Sequence, residues 1–71
     1  MNMNRYSMSY QEAVSDILQR QRESQFRLRD TTKEPYPLVG RWLYQAVQAG
    51  IIPNVVCLGH IDGDANLYKK I

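Results

Sequence analysis

The sequence has too few cysteine and histidine residues for the crosslinks that stabilise many small domains. It contains one cysteine, Cys57, and one histidine, His60, in 71 residues. A single cysteine cannot close a disulfide within the chain, and one cysteine with one histidine cannot build a zinc site. A chain of this size has a core that leaves only about 3–5 kcal/mol of net stability. The composition therefore predicts a reducing, cytoplasmic setting, no metal or cofactor, and stabilisation by a homo-oligomer such as a dimer.

Long apolar runs are missing as well. The most apolar stretch, from Leu38 to Ala49, is interrupted by Arg41 and two glutamines. It is shorter than the roughly 20 residues that span a bilayer. The first eight residues are polar and contain no apolar segment of the kind found in secretory signals. We predict no membrane association, a flexible tail over residues 1–8, and a single compact domain over residues 9–71.

Groups suited to catalysis or metal binding are scarce. General acid–base and nucleophilic mechanisms need convergent groups such as a nucleophile, a base and an orienting carboxylate, and His60 has no such neighbours in the sequence. No glycine-rich phosphate loop is present. Asp62, Asp64 and Asn66 have the spacing that opens an EF-hand loop, but Leu67 stands where that loop needs glycine. The sequence therefore predicts that the protein is not an enzyme.

A first helix is predicted from Ser9 to about Ser24. Ser9 and Glu12 have the spacing of a capping box, in which two side chains satisfy the free N–H groups at a helix start. Apolar residues then recur at three- and four-residue intervals, which is the pattern of an amphipathic helix. They are Tyr10, Ala13, Val14, Ile17 and Leu18.

A second, largely buried helix is predicted over Leu38 to Ala49, beginning near Pro37. Proline at the first helical position loses no hydrogen bond, because its missing N–H would be unpaired anyway. Gly50 can adopt the left-handed conformation that ends a helix, and Pro53 prevents continuation. The helix leaves only a narrow polar strip, which consists of Arg41, Tyr44, Gln45 and Gln48.

The segment between these helices has two interpretations. The alternation of apolar and charged residues from Phe26 to Arg29 fits a short strand, but residues 25–29 could also continue the first helix. We favour the strand. Farther along, Thr31 and Glu34 have capping-box spacing, and the prolines that follow limit a helix there to about one turn.

The C-terminal segment predicts a β-hairpin. Val55 to Ile61 and Asn66 to Ile71 read as strands, and residues 62–65 between them have the composition of a turn. The predicted fold class is α+β, with an N-terminal amphipathic helix, a second buried helix, the hairpin and, on the strand interpretation, a short third strand.

The positive charge of the chain is concentrated in one segment. The formal net charge is only +2, which does not diagnose a nucleic-acid-binding protein. However, four arginines fall within ten residues: Arg20, Arg22, Arg27 and Arg29. Such a run is most often the solvated face of a helix. If it binds a partner, phosphate or an acidic protein surface is the natural target.

Residues 37–71 resemble the end of a winged-helix domain, including the regulators of the phage excisionase type. The likeness rests on Trp42 with Arg41 before it, the stop Gly50-Ile51-Ile52-Pro53, and a Gly63-containing turn that leads to Leu67-Tyr68-Lys69-Lys70. This resemblance implies a helix in the major groove and a wing near the DNA backbone. It would place Arg41, Gln45 and Gln48 against bases, where Arg can read guanine and Gln adenine. Lys69 and Lys70 would approach phosphates.

Two functions follow as expectations. The first is a non-catalytic DNA-binding regulator of transcription, of phage or plasmid type, that docks through the arginine-rich segment. The second is a protein–protein interaction module, such as a small adaptor or inhibitor, because aromatic residues and arginine are typical interface anchors. The relevant aromatic residues are Tyr36, Trp42, Tyr44 and Tyr68. Only the DNA-binding function predicts an affinity that falls steeply with salt.

Overall fold

The structure, a computed structural model, describes residues 4–61 and 65–71. Its elements are α1 (Asn4–Gln19), β1 (Gln25–Phe26), α2 (Leu28–Thr31), α3 (Pro37–Gln48), β2 (Val55–Ile61) and β3 (Ala65–Lys70). The strands form one antiparallel sheet in the order β1-β3-β2. The predicted α+β class is confirmed. No helix within the described ranges is long and apolar enough to cross a membrane.

Helix α1 begins at Asn4, so the predicted start at Ser9 is wrong. Ser9 is buried in the middle of the helix, where its hydroxyl donates to the Glu34 carbonyl at 2.8 Å and lies 3.1 Å from the Thr32 hydroxyl. Glu12 accepts a hydrogen bond from Thr32 at 2.8 Å. The capping-box pair therefore ties α1 to the α2–α3 connection. Of the predicted tail, residues 4–8 are helical and residues 1–3 lie outside the described residues.

The first helix also ends earlier than predicted, at Gln19. A turn follows in which Glu23 has a φ of 74°, a left-handed conformation that is uncommon for a residue other than glycine. The Glu23 N–H then donates to the Lys70 carbonyl at 2.7 Å, and the Lys70 N–H donates to the Ser24 carbonyl at 2.9 Å. These two hydrogen bonds attach the turn to the end of β3, immediately before β1 begins.

The predicted third strand is confirmed, with different bounds. Gln25 and Phe26 pair with Lys69 and Tyr68 of β3, whereas Leu28 already belongs to α2. The predicted single turn of helix starting at Thr31 is wrong, because α2 is a different single turn that ends at Thr31 and residues 32–36 are not helical.

The start of α2 is capped by Asp30, a role that the sequence did not suggest. The Asp30 carboxylate accepts the Arg27 N–H at 2.9 Å, and the Asp30 N–H donates to the Arg27 carbonyl at 2.9 Å. At the other end of the turn, the Thr31 hydroxyl donates to the Leu28 carbonyl at 2.7 Å. The hydroxyl predicted to open a helix thus helps to close one.

Helix α3 has the predicted bounds to within a residue, with Pro37 in its first turn. Gly50 has a φ of 76°. The Gly50 N–H donates to the Val47 carbonyl at 3.1 Å, and the Ile51 N–H donates to the Ala46 carbonyl at 2.9 Å. This pair of bonds is a Schellman motif, which satisfies the last carbonyls of a helix.

The core lies between the helices and one face of the sheet. The rings of Phe26 and Tyr68 stack with their centroids 5.7 Å apart, and Ile17 and Leu43 are fully buried against them. Each such side chain contributes about 1.5–3 kcal/mol through burial. The remaining buried members of this cluster are Ala46, Val47, Ile52 and Val55.

The predicted hairpin is confirmed for β2 and β3. The pairing is shifted by one residue between Cys57 and Gly59, which leaves Leu58 as a bulge. Gly59 has a φ of 119°, a conformation open to few other residues. The predicted turn at residues 62–65 lies largely outside the described residues, since only Ala65 of this turn is in β3.

Candidate nucleic-acid interface

Lys70, at the end of β3, is directed into the protein. It is 7% exposed, and its ammonium group donates to the carbonyls of Ile17 at 2.8 Å and Leu18 at 3.2 Å. A third carbonyl, that of Arg20, lies 3.4 Å away. The last carbonyls of a helix have no partner within the helix, and the helix dipole favours a cation there. The expectation that Lys70 approaches phosphates is therefore wrong, because its charge caps α1.

Arg20 also has partners inside the fold. Its Nε donates to the Asp16 carboxylate at 2.6 Å, and Nη2 donates to the Asp30 carbonyl at 2.8 Å. Its guanidinium lies 5.2 Å from the centre of the Phe26 ring, within the range of a cation–π contact. Arg20 thus joins α1 to α2 and β1, and its charge is balanced by Asp16.

Lys69 forms a surface ion pair with Glu23, in which Nζ and Oε1 are 2.9 Å apart. Such exposed pairs typically contribute about 0.2–1 kcal/mol and are easily exchanged for another anion. Lys69 remains accessible to phosphate, but a phosphate would have to displace Glu23.

The other arginines of the basic segment point outward. Arg22 and Arg29 are exposed, and Arg27 is half-buried at the start of α2. Over residues 4–61 and 65–71, the only cations in ion pairs are Arg20 and Lys69. The four arginines that form one basic run in the sequence therefore differ in the structure. Arg20 is paired with Asp16, whereas Arg22, Arg27 and Arg29 have no ion pair among the described residues.

The predicted polar strip of α3 is fully displayed. Arg41, Tyr44, Gln45 and Gln48 are all exposed, whereas Leu43 and Val47 on the opposite side are buried. Residues three and four apart lie on the same side of a helix. The guanidinium of Arg41 and the side-chain amides of Gln45 and Gln48 therefore face solvent on one side of α3.

One contact between α2 and α3 lies next to both Arg29 and Arg41 in the sequence. Leu28 packs so tightly on α3 that a Cβ added to Gly40 would lie 3.4 Å from Leu28 Cδ2. Arg29 follows Leu28 and Arg41 follows Gly40, and both arginines are exposed. Two cations that are twelve positions apart in the sequence thus flank one contact between helices. We call Arg29, Arg41, Gln45 and Gln48 the α2–α3 surface.

The acids nearest this surface take part in local hydrogen bonds. Asp30 caps α2, and Glu34 accepts the Tyr36 hydroxyl at 3.0 Å. Lys33, which lies between these two acids in the sequence, is exposed. Cations and carboxylates are therefore both exposed in this region, and each of the two carboxylates accepts a local hydrogen bond.

An apolar groove lies elsewhere, between α1 and the segment after α3. It has a volume of about 500 Å³ and is lined mainly by Tyr10, Val14, Leu18 and residues 51–53. Leu18, which the helical pattern assigned to the core stripe, is 53% exposed, and Ile51 is 71% exposed. The other lining residues, Gln11, Ser15 and Gln19, carry no charge. We call this feature the α1 groove; the sequence pattern did not predict it.

Among the titratable side chains that the structure describes, only two tyrosines have a clearly shifted pKa. Burial raises the pKa of Tyr68 to about 12, and desolvation together with the Glu34 hydrogen bond raises the pKa of Tyr36. Among the side chains that the structure describes, no three His, Cys, Asp or Glu residues are placed to hold a metal ion. Asp62, Asp64 and the side chain of His60 are outside the described set.

Comparison with known proteins found no matching family model, no similar curated protein and no similar solved structure. The order of the elements and the distribution of charge and apolar surface are therefore the grounds for a functional proposal.

Proposed function

We propose that this protein is a winged-helix DNA-binding protein, in which α3 enters the major groove and the β2–β3 hairpin is the wing. The observation that carries the proposal is the order of the elements: helix, short strand, short helix, long helix and hairpin, with the short strand joined to the hairpin in one sheet. A winged helix has these parts in this order. The sequence resemblance covers residues 37–71 only, and the topology extends the likeness to α1, β1 and α2.

The α2–α3 surface supports this proposal. Arg41, Gln45 and Gln48 are exposed along one side of α3, where a recognition helix contacts base edges. Arg can form two hydrogen bonds with guanine and Gln two with adenine, each pair contributing about 1–3 kcal/mol of discrimination. Arg29, which is exposed and follows Leu28 in the sequence, would bind the phosphate backbone next to that groove.

The remaining charges divide into two groups. Arg22 and Arg27 carry no ion pair among the described residues and can add phosphate contacts. Lys70 cannot, because its ammonium group is buried against backbone carbonyls, and the partly exposed Arg20 is held by the Asp16 carboxylate and the Asp30 carbonyl. The wing contributes at most Lys69, so most of the affinity comes from α2, α3 and the segment before them.

The proposal is tested by titrating a labelled mixed-sequence duplex at two salt concentrations. With the three arginines Arg22, Arg27 and Arg29 on phosphates, the affinity should fall about 40-fold between 50 and 200 mM salt, from a low-salt dissociation constant of about 10⁻⁴–10⁻⁶ M or tighter. Arg41→Ala should weaken binding at both salts. Arg41→Lys is the matched control, because it keeps the charge and loses the planar fork that reads guanine. No binding at the lower salt would reject the proposal.

A second candidate function is a protein–protein interaction module, and the α1 groove is the observation that favours it. An uncharged apolar groove with exposed Leu18 and Ile51 at its walls is the kind of surface that binds an apolar partner. Its affinity would change little with salt. A groove variant such as Ile51→Glu would abolish such binding and leave the affinity for DNA unchanged.

A further inference from the structure

We propose that the α1 groove is filled by α1 of a second copy of this chain, so that two molecules pair through antiparallel α1 helices. The residues concerned are separate from the α2–α3 surface. The inference therefore does not depend on DNA binding, and either proposal can fail without the other.

The outer side of α1 carries a stripe of uncharged residues. Met8 is 65% exposed and Leu18 is 53% exposed, and Gln11 and Ser15 lie exposed between them. Their successive spacings are three, four and three residues, which is the spacing of a helix–helix seam. The stripe has an apolar residue at each end and short polar residues in the middle.

This stripe is complementary to itself when reversed. An antiparallel register that places Met8 opposite Leu18 of the second copy also places Gln11 opposite its Ser15. A twofold axis then generates the same two pairs again at the other half of the contact. Apolar ends meet apolar ends, and polar side chains that can hydrogen-bond meet at the centre.

The absence of charge in the stripe favours a second copy as the occupant. Near a twofold axis, a charged residue would face its own copy and be repelled. The acids of α1 lie off the stripe and have internal partners: Glu12 accepts the Thr32 hydroxyl, and Asp16 pairs with Arg20. Two α1 helices can therefore approach along this line without bringing like charges together.

The groove accounts for the other side of the contact. A helix lying along the stripe would be flanked by the wall formed by residues 51–53, and it would cover the exposed Ile51 side chain. The two walls of the groove, α1 and residues 51–53, lie on the same face of the molecule as the α1 stripe that would enter the groove of the second copy. An isologous dimer requires this, because both copies use the same surface. A domain of 71 residues, with limited core, gains stability from such a pairing.

The first test is the molar mass by light scattering over a concentration series. The wild-type mass should rise to twice 8.3 kDa. Leu18→Glu should weaken dimerisation at least tenfold, because it places a carboxylate against Met8 of the second copy. Leu58→Glu is the matched control: Leu58 is 49% exposed, close to the 53% of Leu18, but it lies on the sheet. This control should dimerise like the wild type.

The register is tested by mixing two variants. Met8→Lys and Leu18→Glu should each weaken the dimer alone, whereas an equimolar mixture should form a heterodimer in which the two new charges face each other. Met8 and Leu18 are too far apart on one helix for the charges to pair within a chain. If Leu18→Glu does not fold, Ser15→Glu replaces it, since this exposed polar position sets two acids beside the axis.

A wild-type mass of 8.3 kDa at every concentration would overturn the proposal. So would a dimer that survives both Leu18→Glu and Ser15→Glu, or a mixture of folded Met8→Lys and Leu18→Glu chains that stays monomeric.

Discussion

The two cations at the C-terminus of α1, Arg20 and Lys70, and the two on the α2–α3 surface, Arg29 and Arg41, have opposite environments. Arg20 and Lys70 have their charged groups on backbone carbonyls and a carboxylate inside the fold. Arg29 and Arg41 are exposed and have no ion pair in the part of the chain that the structure describes. The difference shows that a basic residue is available to a ligand only if the fold does not need its charge.

The physical origin of the difference is the C-terminus of α1. Its last carbonyls are covered by β3 and the following turn, where water cannot satisfy all of them, and a buried cation supplies the missing donors. Helix α3 has no such need, because the Schellman motif at Gly50 closes it through the backbone. Its cation can therefore lie free on the surface.

The largest expected effect is on Lys70. Lys70→Met should lower the free energy of unfolding by about 3 kcal/mol, since it removes the hydrogen bonds of a buried, charged donor to the carbonyls of Ile17, Leu18 and Arg20. Lys69→Met is the control and should cost about 0.5 kcal/mol, as expected for a surface pair. Urea unfolding at equal protein concentration measures both. Equal losses for the two variants would show that Lys70 does not cap α1.

The second effect concerns Tyr68, which packs in the core beside Lys70. Its pKa is raised from 10.0 to about 12. Between these values the unfolded chain releases the phenolic proton and the folded chain keeps it, so stability falls as the pH rises. The loss due to this group should reach about 2–3 kcal/mol near pH 12 and be absent below pH 9. The difference between wild type and Tyr68→Phe in alkaline unfolding experiments isolates it; a constant difference would contradict the buried environment.

A third, smaller contrast is between Arg20 and Arg22. Arg20→Met should cost about 1–2 kcal/mol, because it breaks a charged pair, a bond to the Asp30 carbonyl and a cation–π contact. Arg22→Met should change stability by less than about 0.5 kcal/mol, as is usual for an exposed position. Thermal unfolding of the two variants side by side is sufficient. A larger loss of stability for Arg22→Met than for Arg20→Met would contradict the view that the fold depends on the charge of Arg20 and not on that of Arg22.

Substitutions on the α2–α3 surface should have the smallest effect on stability, but they should weaken DNA binding. Arg29→Ala with Arg41→Ala should leave the unfolding free energy within about 0.5 kcal/mol of the wild type. The same double variant should weaken DNA binding and reduce the slope of log affinity against log salt by about 1, because Arg29 contacts a phosphate and Arg41 a base. Unfolding and DNA titration of one preparation separate the two readouts. A marked loss of stability would show that the fold depends on Arg29 or Arg41, as it does on Arg20.

Local signals predicted the parts of the fold that local interactions determine. Pro37 and Gly50 fixed the ends of α3, because a first-turn proline and a left-handed glycine act within one turn of the chain. The hairpin and β1 followed from alternation and turn composition. Helix α1 was placed wrongly at its start, since Ser9 and Glu12 have a capping pattern but bond to Thr32 and Glu34, which are 20 to 25 positions away.

The candidate site was harder to predict for the same reason. Lys70 and Ile17 are 53 residues apart in the sequence, and no pattern near either residue indicates their hydrogen bond. The contact between Leu28 and Gly40, which are the sequence neighbours of Arg29 and Arg41, joins two separate helices and is not indicated by any local pattern. Sequence analysis correctly identified the exposed strip of α3, because helical periodicity alone separates it from the buried side.

The most direct test of the proposed function is to map amide chemical shifts of the ¹⁵N-labelled protein during addition of a duplex at low salt. We predict the largest changes in residues 28–31 and 37–48, with little change in residues 10–18 of the α1 groove. Changes confined to α1 and residues 51–53, or no changes at all, would contradict DNA binding through α2 and α3.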